Sequence, residues 1–175
     1  MTDNKNSNRR LVTGMFNDRD SAESAYNTMH DRGYTKDDIH LVMSDDTRKK
    51  HFADDDSELG NQAMEGAGKG SAIGGAIGAV VGIVAAIGTS LVIPGLGLVI
   101  AGPIAAGLAG AGAGGITGGV IGALVGSGLP EERAKEYEKG LKDGKIMMGV
   151  NPKTDDDAKY FESDWRNKGE DIYTR

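Results

Sequence analysis

Three histidines, two aspartate triplets and an unusual number of glycines are the residues in this chain whose type and spacing bear on chemistry. His30, His40 and His51 each stand alone. None has a second histidine four residues on, or an H-E-x-x-H arrangement, so the helical spacing that lets two imidazoles share a zinc ion is missing. His40 is expected on the exposed face of a strand. Asp54–Asp56 and Asp155–Asp157 concentrate carboxylates, but neither has the alternating oxygen ligands and central glycine of a calcium loop. The second triplet reads as charge at a helix N-terminus, opposing the positive end of the dipole. There are no cysteines, which excludes disulfides, thiolate metal sites and cysteine nucleophiles and suits a reducing compartment. Gly110, Gly112 and Gly115 match G-x-G-x-x-G formally. Alanine-rich helix is expected before them, where a dinucleotide site needs a strand, and the next acid is Glu131. Gly68-Lys69-Gly70-Ser71 breaks the G-K-[ST] order of a phosphate loop, and no serine sits in a nucleophile elbow. The sequence thus predicts no catalytic residue, no cofactor, no metal and no enzyme.

The glycines carry the stronger signal. From Gly70 to Pro130, 61 residues pass without one charged side chain. Glycine recurs every fourth position at Gly66, Gly70, Gly74, Gly78 and Gly82. A second series runs Gly102, Ala106, Gly110, Gly114, Gly118, Gly122 and Gly126. That spacing lines one helix face with a smooth groove where another backbone can approach closely. In water each such glycine costs a helix roughly 1 kcal/mol relative to alanine, so the pattern suits lipid or a tight helix assembly. Residues 70–93 hold ten Ile, Val or Leu among 24 positions. As a helix they would extend about 36 Å, enough for a hydrocarbon core of about 30 Å. Pro94, Gly95 and Gly97 mark a turn, and residues 98–128 are long enough to return, with Pro103 opening or kinking the second helix. The expectation is a helical hairpin over 66–129 that packs within one chain and between chains.

The flanks differ in kind. All 20 lysines and arginines and all 26 aspartates and glutamates lie outside the uncharged run. A net charge of −6 argues against nucleic acid as the partner. The one basic cluster, Arg48-Lys49-Lys50, is diluted by Asp45, Asp46 and Asp54–Asp56, and reads as solvated linker. The opening MTDNKNSNRR is polar and lacks the apolar centre of a signal peptide. The expected location is the cytoplasmic membrane with both termini in the cytoplasm; the alternative is a soluble cytoplasmic protein.

In chain order, residues 1–9 are expected as a disordered tail and 10–43 as a first βαβ half, with a strand at 10–16 and a helix from Asn17 or Asp18 to about Arg32. In that helix Ala22, Ala25, Tyr26 and Met29 form one face, Gly33 is the stop, and a second strand follows at Ile39–Met43. Residues 44–65 read as polar linker. Residues 130–175 read as a helix at 131–142, buried through Ala134, Tyr137 and Leu141, and a second βαβ half. Its strands are Lys145–Val150 and Asp171–Tyr173, with a helix from Asp155 to about Lys168 between them. The two halves repeat one another. Ala22, Ala25 and Met29 precede Gly33 by the offsets at which Ala158, Phe161 and Trp165 precede Gly169. Each helix follows a strand with an internal glycine, Gly14 or Gly149, and leads to Asp-Ile. This predicts an α+β fold: a ferredoxin-like βαββαβ domain with helices on one face of a four-stranded antiparallel sheet, and the glycine-rich helical hairpin inserted between strands two and three.

These residues resemble the bacterial general-stress (heat-induced stress) protein family. The resemblance rests on GMFNDRDSAESAYNTMHDRGYTKDDIHLVM at 14–43, on the glycine-rich run with its IPG-x-G-x-x-x-AGP segment, and on LPEERAKEYEKGLKDGKIMMGV at 129–150. It extends over nearly the whole chain from Leu11, and departs at the more polar Lys145–Val150 and Asp155–Asp157. It implies a stress-response role at the cell envelope and no catalytic residues. The expected function is therefore a non-enzymatic stress protein whose domain is anchored to or docked on membrane lipid by a self-associating glycine zipper. A soluble oligomeric regulatory or ligand-binding module, with the hairpins buried in its core, is the alternative, and a membrane-inserting pore-forming factor is a second.

Overall fold

The computed structural model describes residues 10–35, 37–52, 91–93, 97–105 and 119–175. Their elements are β1 (Val12–Phe16), α1 (Arg19–Asp31), β2 (Ile39–Ser44), α2 (Asp45–Phe52), β3 (Leu91–Ile93), β4 (Leu98–Ala101), α3 (Gly119–Gly126), α4 (Glu131–Lys142), β5 (Ile146–Val150), α5 (Asp155–Trp165) and β6 (Glu170–Thr174). The fold is α+β. Six strands form one antiparallel sheet in the order β3-β4-β2-β5-β1-β6.

Local chemistry starts α1, α4 and α5 where the sequence predicts, but α5 ends at Trp165 with Arg166 as its C-cap, short of the expected stop at Lys168 and Gly169. Asp18 accepts the Ser21 N–H at 2.8 Å to cap α1, and Gly33, at φ +79°, turns the chain out of it. Thr154 accepts the Asp157 N–H at 3.1 Å to cap α5. Pro130 occupies the N-cap position of α4, with Glu131 and Glu132 in its first turn. Ala22, Ala25, Tyr26 and Met29 of α1 and Ala158, Phe161 and Trp165 of α5 are buried against one sheet face, among Val12, Phe16, Leu41, Met148 and Val150. Phe16 meets Trp165 edge-on at 5.5 Å between ring centres.

Strand alternation sends Met15, Val42, Leu98, Ile100 and Met147 to the opposite face. That face is covered as well: Ala134, Tyr137 and Leu141 of α4 and Val120 and Leu124 of α3 close over it. Here the structure corrects the expectation of helices on one face only. The sheet has a helical layer on each side, and the second layer includes a piece of the glycine-rich run.

Two further corrections concern the run and its approach. Leu91–Ile93 and Leu98–Ala101, expected as helix, are strands that pair with each other and, through β4, with Leu41–Ser44 of β2. The reason is composition. Leu91-Val92-Ile93 and Leu98-Val99-Ile100 are short aliphatic, β-branched segments on either side of a four-residue Pro-Gly-Leu-Gly link, which suits a strand hairpin better than a helix end. Within residues 44–65, read as linker, Asp45–Phe52 is helix. Ser44 accepts the Thr47 N–H at 3.0 Å as its cap, acids open it, and Lys49, Lys50 and His51 end it. Only Thr47 and Phe52 of this helix are buried, so no apolar stripe announced it.

Candidate functional site

The region that combines sequence-expected residues with unusual buried polar chemistry is the place where the glycine-rich run leaves the sheet after β4. Gly102 lies in a bend, at φ +85°, and a Cβ there would collide with the Ile39 carbonyl oxygen. It had been expected on a helix face for packing against another helix. Instead its missing side chain lets the chain turn sharply and pass against the start of β2. Two residues on, the Ile104 N–H donates to Nδ1 of His40 at 3.2 Å.

His40 is buried, not on an open face. Its position in the strand does direct it away from α1 and α5, but that side is closed by the second helical layer and by residues 102–105, a bend at Gly102 followed by helical residues 103–105. Gly149 lies opposite His40 in the ladder, and the room left by its absent side chain is taken by the imidazole and by the Thr13 methyl. The other ring nitrogen, Nε2, is 3.0 Å from the Asn151 carboxamide. Since Nδ1 accepts from a backbone N–H, the neutral ring carries its hydrogen on Nε2. The Asn151 atom placed 3.0 Å away is Nδ2, which cannot accept that hydrogen, so this tautomer requires the carboxamide turned over, with its oxygen toward Nε2–H. Burial pushes the His40 pKa down to about 4, against a smaller upward pull from the Asn151 bond.

The same face holds a second buried polar chain. Tyr137 donates its hydroxyl hydrogen to the Asp171 carbonyl at 2.8 Å and accepts from the Thr13 hydroxyl at 2.7 Å. Asp171 adopts φ +52° where the β1–β6 register slips, so its carbonyl is satisfied by this side chain. Burial pushes the Tyr137 pKa well up, which keeps the phenol protonated.

Of the other residues expected to form the helix-packing site, Gly122 and Gly126 lie in α3. Gly126 is exposed, with no atom within 4 Å of where its Cβ would stand. Gly97, at φ +58°, sits in the turn between β3 and β4, so the expected turn is found at this residue but joins strands. Gly66, Gly70, Gly74, Gly78, Gly82, Pro94, Gly95, Gly110, Gly114 and Gly118 lie outside the described residues.

Two aspartates of the second triplet, Asp155 and Asp157, are engaged in ion pairs. Asp155 pairs with Arg10. Asp157 accepts from Arg32 at 2.6 Å, Tyr34 at 2.8 Å and Thr154 at 2.9 Å, and these bonds outweigh burial in holding its carboxylate below the usual range. Lys153 adds a bond to the Gly33 carbonyl at 2.9 Å, so this cluster ties the end of α1 to the start of α5. Among the described residues no group of three or more histidines or carboxylates is placed to hold a metal ion. His30 stacks on Tyr26 one turn earlier, and the His51 carbonyl accepts from Arg19 at 2.8 Å. The buried polar groups of the site are thus arranged to hold backbone in place.

The strand-internal Gly149 was the sequence signal for the His40 site, because glycine inside a strand marks a close approach. Asn151 and Ile104 gave no signal, being 111 and 64 residues from their partner. Comparison of the chain with models of known protein families, with curated proteins and with solved structures finds no match. Among the described residues no helix is long and apolar enough to cross a membrane.

Proposed function

We propose that the chain is a non-enzymatic bacterial stress-response protein whose α+β domain docks on a membrane through its glycine-rich run, which also mediates self-association. The domain is read as ferredoxin-like. The support is the order β2-β5-β1-β6 within the sheet, in which the first and third strands of a βαββαβ unit lie at the centre with α1 and α5 on one side.

The observation that carries the docking reading is an uncharged run of 61 residues whose two ends return to one small domain. Phe52 of α2 and Leu91 of β3 both belong to that domain, so the 38 residues between them begin and end beside it. Of these the 21 from Gly70 to Ser90 form the unbroken uncharged stretch. Out and back as helix, each leg of ten residues would reach about 15 Å, half of a hydrocarbon core of about 30 Å. The stretch from 106 to 118 has 13 residues and reaches less far. Insertion into one leaflet fits these lengths; a crossing hairpin with its turn at Pro94 does not fit strands at Leu91–Ile93 and Leu98–Ala101.

One observation favours the alternative of a soluble oligomer. Leu98, Ile100, Ile104, Val120, Leu124 and Leu129 are already buried in the domain, which reduces the apolar length left for lipid. The pore reading has less support, since no charged side chain in the run marks an ion path. Fractionation of expressing cells, with a carbonate wash of the membrane pellet, tests the proposal. Retention in the washed pellet until detergent is added is the expected result. Recovery in the supernatant as one discrete large species would replace docking by the oligomer.

A further inference from the structure

We infer that His40 is an acid-operated latch on the glycine-rich run: protonation of its imidazole turns Nδ1 from acceptor to donor, and the 102–105 segment comes away from β2. The geometry behind this is a conflict of donors. In the neutral ring Nδ1 receives the Ile104 N–H, and Nε2–H meets Asn151. In the imidazolium both nitrogens donate. Asn151 can still offer its amide oxygen to Nε2–H. At Nδ1 two N–H groups would face each other inside a buried site, where an unsatisfied donor is costly.

Among the described residues the charged ring would also lack a counter-charge. Asp38, two residues earlier, is paired with Lys153. Tyr137 of α4 is tied to Thr13 and Asp171. Of the acids of α4, Glu131 pairs with Lys135, Glu136 with Arg133 and Glu138 with Lys142, and Glu132 is exposed in the first turn. Lys145, at the entry to β5, pairs with Glu170, and α3 has no ionisable side chain. Among the described residues, burial lowers the imidazole's proton affinity and the Asn151 bond raises it.

Because the folded pKa of about 4 lies below the ordinary 6.5, the stability His40 contributes is full above pH 6.5 and is lost as pH falls through 4. The segment it holds through the Ile104 N–H is 102–105, which leads straight into the second part of the run. Acid therefore loosens the run's exit from the sheet before it unfolds the sheet, whatever surface the run packs on.

Amide hydrogen exchange of the full chain at pH 6 and pH 4, corrected for intrinsic rates, tests this. The readouts are the Ile104 amide and, as an internal reference, the Met148 amide in the central strand. Between these pH values the protonated fraction of a histidine with that pKa rises about fifty-fold. The latch predicts that Ile104 loses at least about tenfold in protection while Met148 keeps its own. It predicts further that His40→Asn, whose side-chain oxygen can accept the Ile104 N–H without titrating, protects Ile104 equally at both pH values. Unchanged Ile104 protection in the wild type, simultaneous loss at Met148, or the same acid loss in His40→Asn would each overturn the latch. If the variant does not fold, the two wild-type amides still decide.

Discussion

Among the described residues the hydroxyl of Tyr137 is the partner of the buried Thr13 hydroxyl and of the carbonyl of Asp171, an exposed residue. Replacing it by phenylalanine keeps the ring in the core and leaves the Thr13 hydroxyl without this partner. Tyr137→Phe should lower stability by about 1–3 kcal/mol, read as a drop in the urea midpoint at unchanged slope. An unchanged midpoint would mean that the Thr13 hydroxyl finds another acceptor. At this scale the sequence was informative about burial and silent about partners. Ala134, Tyr137 and Leu141 share a helical face, so Tyr137 reads as core, but its hydroxyl bonds residues 124 and 34 positions away. His40 shows the converse. Strand alternation puts it on the correct side of β2. What the sequence could not say was that α3, α4 and residues 102–105 would cover that side.

At the scale of elements, the glycine-rich run is partly domain. Leu98 and Ile100 of β4 and Val120 and Leu124 of α3 are core residues, while Val125 is 40% exposed on the outer side of α3. Leu124→Ala should therefore cost about 2–5 kcal/mol, as for other buried leucines, and Val125→Ala less than about 0.5 kcal/mol. Thermal unfolding of the two variants separates a core helix from one whose packing face points outward; equal effects would place α3 outside the core. The βαβ halves were legible because each helix carries its own cap and apolar stripe, and α1 its stop glycine, Gly33. The β3–β4 hairpin was not, although a signal existed. The every-fourth glycine lapses between Gly82 and Gly102, and in that gap stand two aliphatic triplets around a Pro-Gly turn. Short apolar segments fit a buried strand or a buried helix equally well by pattern, and the glycine period on either side tipped the reading toward helix. α2 was missed for a different reason: it docks through Thr47 and Phe52 alone.

For the molecule as a whole, strands that belong to the run shorten its reach. With β3 and β4 in the sheet and α3 in the second layer, Gly70–Ser90 is the longest uncharged piece left between described elements, and both of its ends lead back to the same domain. That is why docking on one leaflet, rather than a crossing, is the proposed role. The measurement that tests this most directly is flotation of the purified full chain with lipid vesicles, beside a chain lacking Gly70–Ser90. The account predicts that the full chain rises with the vesicles, and that the shortened chain stays below while keeping the circular dichroism of the folded domain. A full chain that stays below, or a shortened chain that floats as well, would contradict it.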